Sequence, residues 1–238
     1  KECPDFSPLS KKKLKKIDYT LKESWGIRKL FSELKNAENE LLKKHSSIVD
    51  VPYNGFAEVN YERLYLNSNG ANRYHRNTQS SLYLYAKAQE ENRKPRCSGS
   101  IKIAYGSDDI NIQECIEEAA SKTVAHLDYK PIKTGKYLIC FKPEAFLNLI
   151  ESFSNLFNAR SVIDGVSLSA KDSLGKKISS PLLTLMDNGL DKSNIGGLSF
   201  DGEGTPTEEL CIIKNGMLEN FIHSEATARE FGVAPTGH

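Results

Sequence analysis

The chain lacks any apolar run near the ~20 residues that span a bilayer, so none of its 238 residues reads as a membrane helix. No charged-then-apolar leader opens it, so no secretory signal is legible. It also lacks a charge surplus. Thirty-two Lys and Arg face 31 Asp and Glu, a formal net charge of +1. That leaves no global field to draw in nucleic acid or an anionic membrane, and dedicated DNA-binding domains usually carry a clear basic excess. Cysteine is sparse: Cys3, Cys97, Cys115, Cys140 and Cys211 are scattered, odd in number and never spaced Cys-x-x-Cys. A disulfide framework and a zinc knuckle are both excluded, and reduced thiols in a cytoplasmic protein are expected. Cys115, Cys140 and Cys211 lie in apolar stretches and read as buried, inert thiols. No two of the five histidines (His45, His75, His126, His223 and His238) share a helical turn. No one helix therefore offers the imidazole pair that many zinc sites use. Internal repeats and low-complexity blocks are absent, and the single Trp25 supports no inference.

What is present is an ordinary globular composition, with 39% hydrophobic and 26% charged residues, enough for one large or two medium domains. Residues 1–16 carry the basic run Lys11 to Lys16, read as a solvated helix face or linker rather than a nucleic-acid patch. Ile27, Leu30, Phe31, Leu34, Ala37 and Leu41 recur at helical spacing. From Ile48 to Ala88 the pattern is β-like, broken at Asn67-Ser68-Asn69-Gly70, and two long antiparallel strands are expected. Ser98 to Tyr105 reads as a third strand. Asp108 or Asp109 is expected to cap a helix carrying Ile112, Cys115, Ile116, Ala119 and Thr123 on one face. Pro131 and Gly135 mark a domain junction at about residues 128 to 134. Beyond it, Tyr137 to Phe141 reads as a buried strand, Pro143 starts a helix, and Leu182 to Met186 reads as a strand. Ser224 caps a last short helix that stops at Gly232.

The densest signal is Phe200-Asp201-Gly202-Glu203-Gly204-Thr205-Pro206-Thr207. Two acidic residues alternate with two glycines. Two apolar runs follow, Leu210 to Ile213 and Met217 to Ile222, joined at Asn215-Gly216. Asn-Gly between apolar runs marks a tight hairpin, because both residues tolerate positive φ. A charged, glycine-rich loop at the mouth of a rigid hairpin is a natural place for function. Asp201, Gly202, Glu203, Gly204, Thr205 and Pro206 are therefore the candidate substrate-cleft or partner-contact loop. Against this stands plain turn chemistry, since Asp, Gly and Pro simply let a chain reverse.

The order of several pieces carries a resemblance. Ser180-Pro181-Leu182-Leu183-Thr184-Leu185-Met186-Asp187 is followed by a glycine-rich spacer and then by the Asp-Gly-Glu-Gly-Thr-Pro-Thr loop. Asn215-Gly216-Met217-Leu218, Ala228 to Gly232 and Thr236-Gly237 complete the series. Upstream stand Asn67-Ser68-Asn69-Gly70 and the stretch Lys130 to Tyr137, ending in Phe141-Lys142-Pro143-Glu144-Ala145. In this order the chain, from about Leu30 onward, resembles the TldD/PmbA family, known as modulators of DNA gyrase and metalloprotease subunits.

The resemblance implies an α+β fold. Residues 1–128 would be a mixed helix and antiparallel-sheet central domain, and 134–238 the start of a β-rich C-terminal domain. Against the family pattern both ends look cut. In the catalytic branch the helix after the junction carries His-Glu-x-x-x-His, in which two imidazoles hold a metal and the Glu deprotonates its water. Here that helix reads Pro143-Glu144-Ala145-Phe146-Leu147-Asn148-Leu149-Ile150-Glu151, with no histidine. Glu144 and Glu151 alone read as a solvated face. No catalytic residue, metal ligand or cofactor is therefore expected on this chain. The departure resembles the PmbA, or TldE, branch, whose members pair with a TldD-type subunit that holds the zinc. The implied activity is hydrolysis of unfolded or extended peptides by a cytoplasmic, bacterial heteromeric complex, with no direct nucleic-acid or membrane partner. Two alternatives stay open: a self-sufficient metallopeptidase with ligands outside these residues, and a gyrase-associated or nucleic-acid-binding module. His223 reads as a surface or capping histidine, His75 as a strand residue, and Tyr61, Tyr65, Tyr74, Tyr83 and Tyr85 as cross-strand packing. An exposed sheet edge could also accept an extended peptide.

Overall fold

The structure is a computed structural model. It describes residues 12–15 and 21–238. Lys11, Lys16 and Cys3 lie outside the described residues. Within them the architecture is α+β, with two three-stranded sheets. The chain forms two compact units. One holds 21–62 and Arg76–Lys136; the other holds 12–15, 63–75 and Tyr137–His238. The long hairpin of β1 (Ile48–Leu66) and β2 (Asn72–Ala88) contributes to both, because its tip at 63–75 belongs with the C-terminal residues.

In the first unit the sheet runs β1-β2-β3, with β3 at Arg96–Ala104 antiparallel to β2. Leu82, Leu84 and Ala86 are fully buried on one face, while Tyr83 and Tyr85 stand on the exposed face. The alternation of the sequence is thus the two-residue period of the strand. Tyr83 and Tyr85 pack across strands, as expected. A Cβ at Gly55 would run into the Tyr83 ring, and one at Gly99 would lie 2.8 Å from the Tyr85 ring. Each ring therefore covers a bare glycine on a neighbouring strand.

The buried face packs on α1 (Gly26–Lys43) and α2 (Ile112–Ala125). Leu30, Ala37 and Leu41 form the buried stripe of α1, and Cys115, Ile116, Ala119, Ala120 and Thr123 that of α2. Ile27 and Phe31 are exposed instead. Phe31 lies one residue, hence about 100°, off the Leu30 stripe. The cap of α2 is Asn111, whose side chain accepts from the Glu114 N–H at 3.0 Å. Asp108 and Asp109 sit one turn earlier, in a short 3-10 turn at Ser107–Asp109. There Asp108 accepts from the Trp25 indole at 2.7 Å and Asp109 from Lys22 at 3.2 Å. Glu58 ties the same corner together, accepting from Ser24, the Trp25 N–H and Ser107. Burial works against its charge, but those hydrogen bonds outweigh it and hold the carboxyl below the usual range. On the α2–β3 surface, Lys122, Ser100 and Lys102 hold the Glu118 carboxyl down to about 2.

The second unit contains α3 (Pro143–Glu151), α4 (Ala159–Ile163), the sheet β4-β5-β6 and α5 (Glu225–Phe231). Strands β4 (Leu185–Asn188), β5 (Glu209–Lys214) and β6 (Met217–Leu218) are antiparallel. Asn215 and Gly216, at φ 49° and 82°, make the expected tight turn. Ile212, Ile213, Leu218 and Phe221 pack with Phe157, Ala159 and Val162 into the core. Ser224 caps α5 by accepting from the Thr227 N–H, and Gly232 ends it in the left-handed region.

Two expected strands differ in this unit. Tyr137 to Phe141 forms no strand, and Leu138 is 103% exposed, so Cys140 is exposed rather than buried. An apolar run becomes a strand only where another strand satisfies its backbone, and none pairs with it among the described residues. The strand expected at 182–186 begins at Leu185, because Ser180 turns the chain first and leaves Leu182 exposed. Among the described residues no helix is long and apolar enough to cross a membrane.

Candidate functional site

The acidic loop is a closed reversal rather than an open arm. Phe200 and Pro206 form an antiparallel bridge, and the Thr207 N–H donates to the Ser199 carbonyl at 3.0 Å. Inside it, the Asp201 N–H donates to the Thr205 carbonyl at 3.0 Å. Asp201 Oδ1 accepts from the N–H groups of Glu203 and Thr205, at 2.9 and 2.8 Å. This is the local bond by which Asp favours turns. Gly204 takes φ +78°, and a Cβ there would strike the Tyr65 ring. Only glycine meets both demands cheaply. Glu203 reaches further, since its Oε2 accepts from the Glu225 N–H at 2.8 Å, at the first turn of α5. A carboxylate suits that position, where N–H groups lack helical partners. Gly204, Thr205 and Pro206 are buried, Asp201 and Glu203 half-buried, and Gly202 exposed.

The tip of the β1–β2 hairpin lies on this loop, within the same unit. The tip itself is turned by Asn67, which accepts from the Asn69 and Ala71 N–H groups at 3.1 and 2.9 Å. Arg73 Nε donates to the Gly204 carbonyl at 3.2 Å, and Arg63 lies 5.3 Å over the Phe200 ring. His75 Nδ1 is 3.1 Å from Ser199 Oγ. Burial, aided by the nearby Arg63 charge, pushes the His75 imidazole below its ordinary 6.5. Sequence reading missed Arg63, Arg73 and Ser199. Along 72–77 both faces of β2 carry polar residues, so the two-residue period gave no sign of which face is buried.

His223, expected at the surface or as a cap, is 4% exposed. Its Nδ1 lies 3.3 Å from Thr227 Oγ1, and its ring meets Phe231 edge-on at 4.9 Å. Burial pushes this imidazole, too, below the ordinary value, opposed by the Thr227 contact. Of the basic run at 11–16, Lys12 pairs with Glu208 at 2.9 Å. Both partners are more than two-fifths exposed, so the pair contributes only ~0–1 kcal/mol.

The expected site residues are thus brought together, and two of them have structural work. Asp201 closes the turn and Glu203 holds α5. Helix α3 holds Glu144 and Glu151 but no histidine, and none of its residues is buried. Among the described residues, no three His, Cys, Asp or Glu side chains converge as a ligand set. The described residues therefore do not fit a zinc ion, whose sites draw on three or four such donors.

Comparison with known proteins decides the family. Residues 9–127 match the PmbA/TldA metallopeptidase central domain, and 134–238 match its C-terminal domain. The chain belongs to the PmbA/TldD metallopeptidase family. Relatives of this family include a metalloprotease of Methanocaldococcus jannaschii, 25% identical over 229 residues, covering 95% of this chain and 48% of the relative. Metalloprotease PmbA of Escherichia coli O157:H7 is 27% identical over 208 residues, 85% of this chain and 45% of its own. A solved structure described as a candidate modulator of a DNA gyrase from Thermotoga maritima superposes with a TM-score of 0.87 at 26% identity. That match covers 95% of this chain and 52% of the other. The chain spans about half the length of the curated relatives it matches.

Proposed function

We propose that this chain acts as a PmbA/TldE-type subunit of a heteromeric metallopeptidase, shaping the path of an unfolded or extended peptide while a TldD-type partner supplies the zinc. The observation that carries this reading is α3. By the family resemblance this helix corresponds to the one that bears His-Glu-x-x-x-His in the catalytic branch, and it runs from Pro143 to Glu151 without a histidine. The match to PmbA of E. coli over 85% of the chain supports the same branch.

On this reading the Asp201–Pro206 loop is a rigid wall rather than a source of reacting groups. Its carboxylates are engaged in the turn and at α5, and Arg73 and Tyr65 clamp Gly204 from the hairpin side. Such a wall can fix where a peptide or a partner subunit sits without taking part in bond cleavage. Zinc, when the partner holds it, supplies the water-derived nucleophile.

The test is hydrolysis of an unfolded protein substrate by the full-length protein, alone and mixed with a TldD-type subunit of the same genome, each with and without chelator. The expected result is chelator-sensitive cleavage in the mixture only. Chelator-sensitive cleavage by this protein alone would overturn the proposal and favour a self-sufficient peptidase.

A further inference from the structure

An open cavity of about 220 Å³ lies where the end of α2 meets the start of β3, within the first unit. Five residues line it: Arg96, Ala125, His126, Asp128 and Tyr129. Sequence reading assigned no role to Arg96 or Tyr129. The size is below the ~300–1,000 Å³ of sites for drug-sized ligands, so it suits one amino-acid-sized group.

Local structure fixes both sides of the cavity. Arg96 opens β3 and stands opposite Ala88 of β2. Thr123 Oγ1, near the end of α2, donates to the Ser98 carbonyl at 2.9 Å and ties helix to strand. After α2 the chain makes a 3-10 turn at His126–Asp128, anchored by the buried Leu127. Two arginines share this corner and differ. Arg93 pairs with Glu90 at 3.1 Å and with Asp128 at 3.4 Å. Arg96 has no hydrogen bond or ion pair among the described residues, and its guanidinium lies 4.7 Å over the Tyr129 ring. A ring face attracts the cation and steadies it, yet neutralises none of its charge. A guanidinium does not lose its proton, so Arg96 carries a charge that no acid among the described residues answers. Water suffices for a fully exposed arginine, but this one is half-buried against a ring and a cavity.

We infer that the cavity binds a carboxylate on an apolar stem, the acid taken by the Arg96 fork and the stem laid on Ala125 and the Tyr129 ring. Guanidinium and carboxylate match as two parallel N–H···O bonds. His126 adds a donor from whichever ring nitrogen carries its proton. Asp128 shares the wall and repels an anion, and its pairing with Arg93 offsets that charge. Under the peptide-handling role proposed above, on which its biological meaning rests, the acid is either a peptide carboxyl terminus or an Asp or Glu side chain. The site is then a specificity pocket of the subunit.

The test is titration of the full-length protein, without partner or metal, followed by NMR of the probes, so its failure and that of the subunit reading are distinguishable. Four probes are compared: acetyl-leucine with its free carboxyl terminus, acetyl-glutamate α-amide with its side-chain acid, neutral acetyl-leucinamide, and inorganic phosphate. At least one of the two carboxylic acids should bind about tenfold or more tightly than the neutral probe, the difference expected for one charge-assisted contact. Preference for acetyl-leucine identifies the carboxyl terminus as the source, and preference for acetyl-glutamate α-amide the side chain. Arg96→Gln should abolish the binding of acids while leaving the thermal melt unchanged, and Arg96→Lys should keep only part of it. Asp128→Asn, which removes a like charge, should not weaken it. Equal binding of acids and neutral probe, binding of none, tighter binding of phosphate than of either carboxylic acid, or acid binding that survives Arg96→Gln would overturn the assignment.

Discussion

Two apolar runs in the same unit read alike in sequence and end differently. Leu210 to Ile213 lies in β5, paired with β4 and β6, and buries Ile212 and Ile213 in the core. Tyr137 to Phe141 is equally apolar, yet it forms no strand and leaves Leu138 and Ile139 exposed. The difference lies in what flanks each run. Before β5 stands a loop whose carboxylates are used up in turns and caps, and after it stands Asn215-Gly216, which brings β6 back at once. Tyr137 to Phe141 is followed instead by Lys142 and Pro143, which start a helix. Hydrophobicity states what a segment can bury; the turn chemistry beside it decides whether a partner arrives.

The largest expected contrast is between core truncations of the two runs. Ile213→Ala should cost about 2–5 kcal/mol in denaturant unfolding. Leu138→Ala should stay within about 0.5 kcal/mol. Equal losses would break the comparison, showing that 137–141 is buried in the folded protein. Next comes Gly204→Ala, which faces both a positive φ and the Tyr65 ring. Strained backbone alone costs about 1–3 kcal/mol, and the loss should be accompanied by early hydrogen exchange of the Thr205 and Thr207 amides. Smaller again is Glu203→Ala, which removes the acceptor at α5 and should cost about 0.5–2 kcal/mol, as lost caps do. A neutral result would free Glu203 for a role outside the loop.

The mildest effect is on pH. His75 and His223 are buried with imidazoles below the ordinary 6.5. The unfolded chain then binds more protons than the folded one as pH falls below about 6.5, so stability is full above that value and declines through the acid side. Melting temperature should drop from neutral to mildly acidic pH, and His223→Gln should flatten the slope. A melt that rises on acidification would contradict the burial of both rings.

Much of this was legible because local chemistry carries it. Asn215-Gly216, the Ser224 and Gly232 caps, Pro143 at a helix start and the alternation of Leu82, Leu84 and Ala86 each act through neighbours in sequence. What was not legible depends on distant partners. The burial of His223 depends on Phe231 and Thr227 folding back over it, and that of His75 on Ser199, 124 residues away. The α2 cap was misplaced because three capping residues, Asp108, Asp109 and Asn111, stand together, and Trp25 and Lys22 claim the first two. The loop itself was found, but its composition could not separate function from turn chemistry. The hydrogen bonds of Asp201 and Glu203 show the turn and cap chemistry that composition only suggests.

The most direct test of the account is metal analysis of the full-length protein, purified alone and as a complex with a TldD-type subunit, after loading with zinc and removal of free ion. Zinc is expected in the complex, one per partner subunit, with no stoichiometric zinc on this protein alone. One zinc bound per chain in the isolated protein would contradict it.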